Sequence, residues 1–226
     1  MKGLRGWFSM LLAVVLAGLL IGCGGGDDKI SNPDPGSNDL NVIVAFGDSI
    51  TKGSECPCAA YPPRLAALTG KVVHNAGIGG SRATGGVGRT KQVINKYHPA
   101  FMLILYGVND VIHSYSRDAI IGALDRMVTI CQENHVVPVL ATYPMPIHGH
   151  RFFAGSTVRL NQAIRDLAAA RNIRCVDLER EFATGYDHSD PNHTRPIPDP
   201  SLYMPDGLHP NDAGTQVMAM AFADLF

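Results

Sequence analysis

The chain has 226 residues, 46% of them hydrophobic and 17% charged, with 19 Lys and Arg against 20 Asp and Glu for a formal charge of −1. That composition suits one sizeable globular core and sets aside a wholly disordered chain. A near-neutral balance without a basic stripe argues against nucleic acid as a partner.

The N-terminus stands apart from the rest. Lys2 and Arg5 precede an apolar run from Trp7 to Leu20, too short and too N-terminal for a membrane span. Residues 1–22 therefore read as a signal peptide. The run ends in Leu20-Ile21-Gly22-Cys23, and this resembles a bacterial lipobox, with cleavage before Cys23 and a lipid on its sulfur. Gly22 leaves room for the protease, whereas an uncleaved anchor helix would give Cys23 no task. The expected location is the bacterial cell envelope, lipid-anchored and facing the periplasm or the outside. Cleavage removes Lys2 and Arg5 and no acid, so the mature chain is slightly more acidic. Residues 23–39 are mostly Gly, Asp, Ser, Asn and Pro, have little to bury, and are expected to be a flexible tether. One domain, 40–226, follows.

Strand and helix signals then alternate. Asn41 to Phe46 is a short apolar run fit for a strand buried on both faces. A helix is predicted from Pro62 to Thr69, with prolines at its start and Gly70 at its end. Lys71 to His74 is a second strand, Val87 to Tyr97 a helix, and Phe101 to Tyr106 a third strand. Ser116 can cap the next helix, where Ile120, Ile121, Leu124, Met127, Val128 and Cys131 recur at helical spacing. Val136 to Thr142 is a fourth strand, about Ser156 to Arg171 a helix, and Ile173 to Leu178 a fifth strand. A last helix starts near Asp212. Such alternation implies a parallel sheet between two helical layers, in a single α/β domain.

Chemistry-bearing residues fall at the strand ends. Gly47-Asp48-Ser49-Ile50-Thr51 closes the first strand, at the edge where open parallel sheets bind ligands. Gly47 allows a tight turn, and a helix starting near Ser49 would supply free N–H groups for a developing anion. A serine nucleophile also needs a base and oxyanion donors. Asn75-Ala-Gly-Ile-Gly-Gly80 after the second strand offers backbone N–H groups, and Gly107-Val-Asn109-Asp110 after the third offers a side-chain amide. Asp206 and His209 stand three apart before the last helix, so the carboxylate can orient the imidazole.

These four blocks, in this order, resemble the SGNH hydrolase superfamily, also called the GDSL family. The resemblance runs from about Leu40 to Phe226. It implies a three-layer α/β/α, flavodoxin-like fold with a five-stranded parallel sheet in the order 2-1-3-4-5. By that resemblance Ser49 is the nucleophile and an oxyanion donor. Gly80 and Asn109 are the other oxyanion donors, His209 is the base, and Asp206 is its orienting carboxylate. Ile50 stands where the family name has Leu, and Gly79 is the alternative donor should the glycine block shift by one. The implied reaction is cofactor-free hydrolysis of carboxylic esters or thioesters through an acyl-Ser49. Its partner would be a small ester or acylated substrate, of the short-ester, lysophospholipid or acetylated-carbohydrate kind. The alternative is a non-catalytic lipoprotein that binds acylated glycans, for which the full Ser, Gly, Asn and His set has no use.

Other signatures fit poorly. The sequence around Ser49 is not G-x-S-x-G, and Gly85 to Thr90 lacks the ending of a P-loop. His148, His150, His188 and His193 lack zinc-site spacing and read as solvated loop residues, the last two in a Pro-rich loop. Asp110 reads as a polar contact or as turn chemistry rather than catalysis. Cys56 and Cys58 are too close to pair comfortably with each other, while Cys131 and Cys175 read as small buried hydrophobes on a helix and a strand, or else as bridge partners. The segment Tyr143 to Phe153 either lines the acyl pocket or packs on the domain's own rim.

Overall fold

The computed structural model describes residues 34–190 and 193–226. The expected signal peptide, Cys23 and most of the expected tether lie outside the described residues. In chain order the elements are β1 (Asp39–Gly47), α1 (Ser49–Lys52), α2 (Tyr61–Thr69), β2 (Val72–Asn75), α3 (Ala83–Tyr97), β3 (Pro99–Leu105), α4 (Val108–Ile112), α5 (Arg117–Glu133), β4 (Val137–Ala141), α6 (Ala154–Ala170), β5 (Arg174–Val176), α7 (Leu178–Glu181), β6 (Ala183–Asp190), β7 (His193–Pro198) and α8 (Asp212–Ala223). Short 3₁₀ turns cover His148–Phe153 and Pro200–Leu202.

β1 to β5 form one parallel sheet in the order β2-β1-β3-β4-β5. Successive strand side chains point to opposite faces, and here both faces are covered. Val44 and Phe46 of β1, with Met102 and Ile104 of β3, join Ile94, Leu124, Met127 and Ile164 of α3, α5 and α6. The residues between them, Ile43, Ala45, Leu103 and Leu105, join Tyr61, Leu65, Met218 and Phe222 of α2 and α8. This explains the uninterrupted apolar runs, since a strand inside two layers has no solvated face to alternate with. Each fully buried Leu, Ile, Phe or Met contributes about 1.5–3 kcal/mol. Among the described residues no helix is long and apolar enough to cross a membrane.

The chain winds outward from β1 in both directions, so the crevice where the winding reverses lies beyond the carboxyl ends of β1 and β3. Ser49 follows the first of these strands and Asn109 the second. The five predicted strands and the long helices are present, with ends shifted by a few residues. The short helices α1, α4 and α7 fall below the length at which an apolar period can show.

Two expectations need correction. The Pro-rich segment around His188 and His193 is the antiparallel hairpin β6–β7, not a loop. Prolines are tolerated there because a two-stranded ribbon is all edge. Cys56 and Cys58 do form a disulfide with each other. Glu55, at φ 68°, turns the backbone sharply ahead of Cys56, and the two Cα atoms stand 5.1 Å apart, within bridging reach. Cys131 and Cys175 are free thiols, and burial raises both.

Candidate active site

Ser49 is delivered by a turn that tolerates no side chain. A Cβ on Gly47 would fall 2.2 Å from Thr51 Oγ1 and 2.6 Å from the Leu105 carbonyl, so glycine lets β1, β3 and α1 close on one another. Asp48 caps α1, its Oδ1 accepting the Ile50 amide at 3.0 Å. Ser49 is the first residue of α1, where a backbone N–H has no partner inside the helix.

The segment before α8 brings His209 to this serine. The Ser49 hydroxyl lies 2.9 Å from His209 Nε2, and His209 Nδ1 lies 2.6 Å from Asp206 Oδ2. The other carboxylate oxygen, Oδ1, accepts the amides of Leu208 at 3.0 Å and His209 at 3.1 Å. Asp206 thus holds its own turn and the imidazole at once. Burial alone would raise its carboxyl, but the bonds from the His209 ring and the two amides outweigh that and hold it below the ordinary range. Gly207, at φ 73°, sits where a Cβ would fall 2.2 Å from the Ile147 carbonyl. The Gly207 carbonyl in turn accepts the Ile147 amide at 2.8 Å.

The glycine block lies on the other side. The Ile78 amide donates to the Gly47 carbonyl at 3.0 Å, fixing the loop two residues before Ser49. A turn from Ile78 to Ser81, closed by a 3.1 Å bond, carries Gly80 in its third position at φ 69°. The Gly79 and Gly80 amides have no hydrogen-bond partner among the described residues. Asn109 Nδ2 donates to the Ser81 carbonyl at 3.2 Å, which ties α4 to this loop. An amide nitrogen has two hydrogens, so one is left over. Ser49, Asn109 and His209 are all nearly buried, 8–9% exposed.

The structure adds residues that carried no role in the sequence. Asp48 is fully buried, and its Oδ2 accepts the Tyr143 hydroxyl at 2.7 Å. Burial pushes its carboxyl up to about 6, against the Tyr143 and Ile50 hydrogen bonds and the nearby His209, all of which act to lower it. Asp110 Oδ2 accepts the Ala83 amide at 2.8 Å, so Asp110 secures the first turn of α3 against α4. This is the polar contact, rather than the turn chemistry, of its two sequence readings. Burial raises it, opposed by that amide. Arg89 donates to Tyr106 Oη at 2.7 Å and to the Ala76 carbonyl at 2.9 Å, bracing the glycine loop from behind. His150 is a correction. Rather than a solvated loop histidine, it is half-buried and its Nδ1 donates to the Asp206 carbonyl at 2.8 Å. The one signal for Tyr143 was its place at the end of β4, because a buried phenol needs a partner at that depth. The segment Tyr143 to Phe153 divides: Tyr143 and Ile147 pack on the domain, while Phe152 is 89% exposed.

No group of three or more His, Cys, Asp or Glu residues is clustered as metal ligands among the described residues. A serine with an unpartnered first-turn amide, a paired imidazole and carboxylate, and free donors opposite can attack a carbonyl and receive the resulting oxyanion.

Residues 45–217 match the model of the GDSL-like lipase/acylhydrolase family. No curated protein matches the chain. Among solved structures, a GDSL-like lipase from Bacteroides thetaiotaomicron is similar at 20% identity and a TM-score of 0.65, over 82% of this chain and 87% of that one. A lipase/acylhydrolase from Enterococcus faecalis is similar at 23% identity and a TM-score of 0.64, over 81% of this chain and 94% of that one. An acetyl xylan esterase is similar at 20% identity and a TM-score of 0.66, over 81% and 98%.

Proposed function

Because this chain belongs to the GDSL-like lipase/acylhydrolase family, we propose that it hydrolyses carboxylic esters or thioesters through a covalent acyl-Ser49. The observation that carries this is the hydrogen-bonded chain from Ser49 through His209 to Asp206. A carboxylate facing Nδ1 keeps the proton on that nitrogen and leaves Nε2 to act as base. In the first half, the Ser49 proton passes to Nε2 while Oγ bonds to the substrate carbonyl carbon. The carbonyl oxygen becomes an oxyanion held by the Ser49 amide, the Gly80 amide and the free hydrogen of Asn109. Collapse breaks the bond to the leaving group, which takes the proton from His209. In the second half, water attacks the acyl-enzyme and gives its proton to Nε2, and collapse of that intermediate breaks the bond to Oγ, which takes the proton back from His209 as the acid is released.

Ser49→Ala tests this. With its melting temperature unchanged, the variant is expected to lose at least about 10⁴-fold in turnover on 4-nitrophenyl esters. A fluorophosphonate should label the Ser49 peptide in the wild type alone. Wild-type-like turnover in the variant would overturn the reading, and a chain that binds acylated glycans without turnover would replace it.

Lipidation of Cys23, with a tether holding the domain at the bacterial envelope, belongs to the same proposal. Its support is the Leu20 to Cys23 motif. Cells fed an alkyne fatty acid should label the wild type and not Cys23→Ser. Equal labelling of both would refute the anchor.

A further inference from the structure

A cavity of about 380 Å³ lies between the α4–α5 turn and the 3₁₀ turn His148–Phe153, and the mechanism above does not use it. One wall is the turn from α4 into α5. α4 holds Asn109, and its cap Gly107 lies so close to the cavity floor that a Cβ would fall 2.9 Å from Leu160 and 3.1 Å from Ile120. The other wall is the 3₁₀ turn His148–Phe153, whose His150 holds the Asp206 carbonyl. The cavity therefore lies between the element that carries an oxyanion donor and the element that braces the base. Its floor is Val111, Ile120 and Leu160, and Phe152 stands over it.

The mouth is cationic. Arg117 and Arg159 both line it, and no Asp or Glu does. Arg159 has no acidic partner among the described residues, its bond being to Ser156 Oγ at 3.1 Å. Arg117 stands 3.9 Å from Asp118, and both are exposed, a pairing worth little. The same two arginines begin a second depression of about 470 Å³ between α5 and α6, where Asp118 and Asp166 form part of the lining. Asp166 disfavours an anion deeper in that depression, and Asp118 beside Arg117 leaves Arg159 as the stronger anchor at the mouth. The first turns of α5 and α6, two helices of 17 residues, flank the cavity; that of α6 carries no acid and adds to the positive field, whereas Asp118 in that of α5 offsets its own.

We propose that this cavity receives the non-reacting arm of the ester, and that Arg117 and Arg159 bind a carboxylate or phosphate carried at the end of that arm. The preferred substrate is then an amphiphilic ester with an apolar stretch between its reacting carbonyl and an anion. This rests on ester hydrolysis at Ser49. Guanidinium groups suit either anion, because their planar fork pairs with two oxygens.

The test compares kcat/KM within pairs of esters that differ in the terminal charge. The first pair is 4-nitrophenyl octanoate against the mono-4-nitrophenyl ester of octanedioic acid, with the anion on the acyl arm. The second is octyl butyrate against the butyrate ester of 8-hydroxyoctanoate, with the anion on the alcohol arm. The third replaces that carboxylate by phosphate. At least one anionic member should exceed its neutral partner by about tenfold or more at low salt, and the pair that shows this names the arm and the anion. The readout is the ratio within a pair, which cancels any general change in turnover. The ratio should fall toward one in the double variant Arg117→Gln/Arg159→Gln and in about 0.5 M salt. Arg159→Lys should retain part of it, since charge remains but the fork is lost. Ratios near one in every pair, or a preference that survives the double variant, would overturn the proposal. Loss of turnover on neutral and charged esters alike in the wild type would instead count against the Ser49 reading.

Discussion

The two sides of Ser49 are organised by opposite means. On the base side the groups are held by hydrogen bonds: Asp206 accepts two amides and an imidazole nitrogen, its carbonyl is held by His150, and His209 reaches the serine. On the oxyanion side the useful atoms are those left unused, namely the Gly79 and Gly80 amides and one hydrogen of Asn109. Their positions are fixed from behind, by Ile78 on Gly47, by Asn109 on Ser81, and by Arg89 on Tyr106 and Ala76. A base must be held in one tautomer and direction, which takes hydrogen bonds. A receptor for a transient anion must keep its donors free, which takes a rigid frame around them.

The largest expected effect separates these two modes. Under the proposed mechanism Asn109→Ala removes a donor to the transition state, so kcat should fall about 10²–10³-fold with KM little changed. Asp206→Asn, by contrast, removes an acceptor from a fully bonded turn. It should lower kcat and also destabilise the protein, because the Leu208 and His209 amides lose the charge they donate to. A melting temperature lowered further in Asp206→Asn than in Asn109→Ala, which loses only the bond to the Ser81 carbonyl, would support the distinction. Equal destabilisation of both would show that Asn109 acts as frame rather than donor.

The second effect concerns Asp48, a carboxylate buried at the junction of the two sides. Its carboxyl is raised to about 6, so between the ordinary carboxylate range and that value the folded protein binds more protons than the unfolded one. Stability therefore falls as pH rises across this window, by on the order of 3 kcal/mol. Asp48→Asn removes the titration and should flatten the curve, read as urea midpoints at pH 4 and pH 7. The Asn retains an oxygen for the Ile50 amide, while its NH₂ must now donate to Tyr143 Oη. Loss of the carboxylate's attraction for the His209 imidazolium should lower kcat by roughly threefold to tenfold. An unchanged pH dependence of stability would show that Asp48 stays ionised and compensated throughout.

The sequence showed the frame more readily than the braces. Strands buried on both faces leave uninterrupted apolar runs, and β1 and β3 could be read from Asn41–Phe46 and Phe101–Tyr106 for that reason. Ser49, Asn109 and His209 were legible because each follows a strand or precedes the last helix, and because their blocks keep a fixed order. Tyr143, His150 and Arg89 were not, since each acts across the fold on a residue distant in the chain. Nothing local distinguishes a tyrosine that will meet Asp48 from one that will face solvent. The Cys56–Cys58 bridge is not legible from sequence separation, because a turn at Glu55 sets the approach of the two cysteines.

The smallest effect bears on which glycine serves the oxyanion side. Gly80 has φ 69° at the third position of its turn, a conformation that costs about 1–2 kcal/mol for a residue with a Cβ. There is open space around a Cβ at that position, so the penalty of Gly80→Ala is conformational and not steric. The turn can relieve it by rotating the peptide plane, which moves the Gly80 amide out of line with the oxyanion. Gly79→Ala meets no such demand: its φ is not positive, and its Cβ would touch only Ser54 Oγ, at an ordinary 3.6 Å. Gly80→Ala should therefore lower kcat by about tenfold or less with a small drop in melting temperature, whereas Gly79→Ala should leave both near wild type. The reverse ranking would transfer the donor role to Gly79, and with it the register of the whole glycine block by one residue.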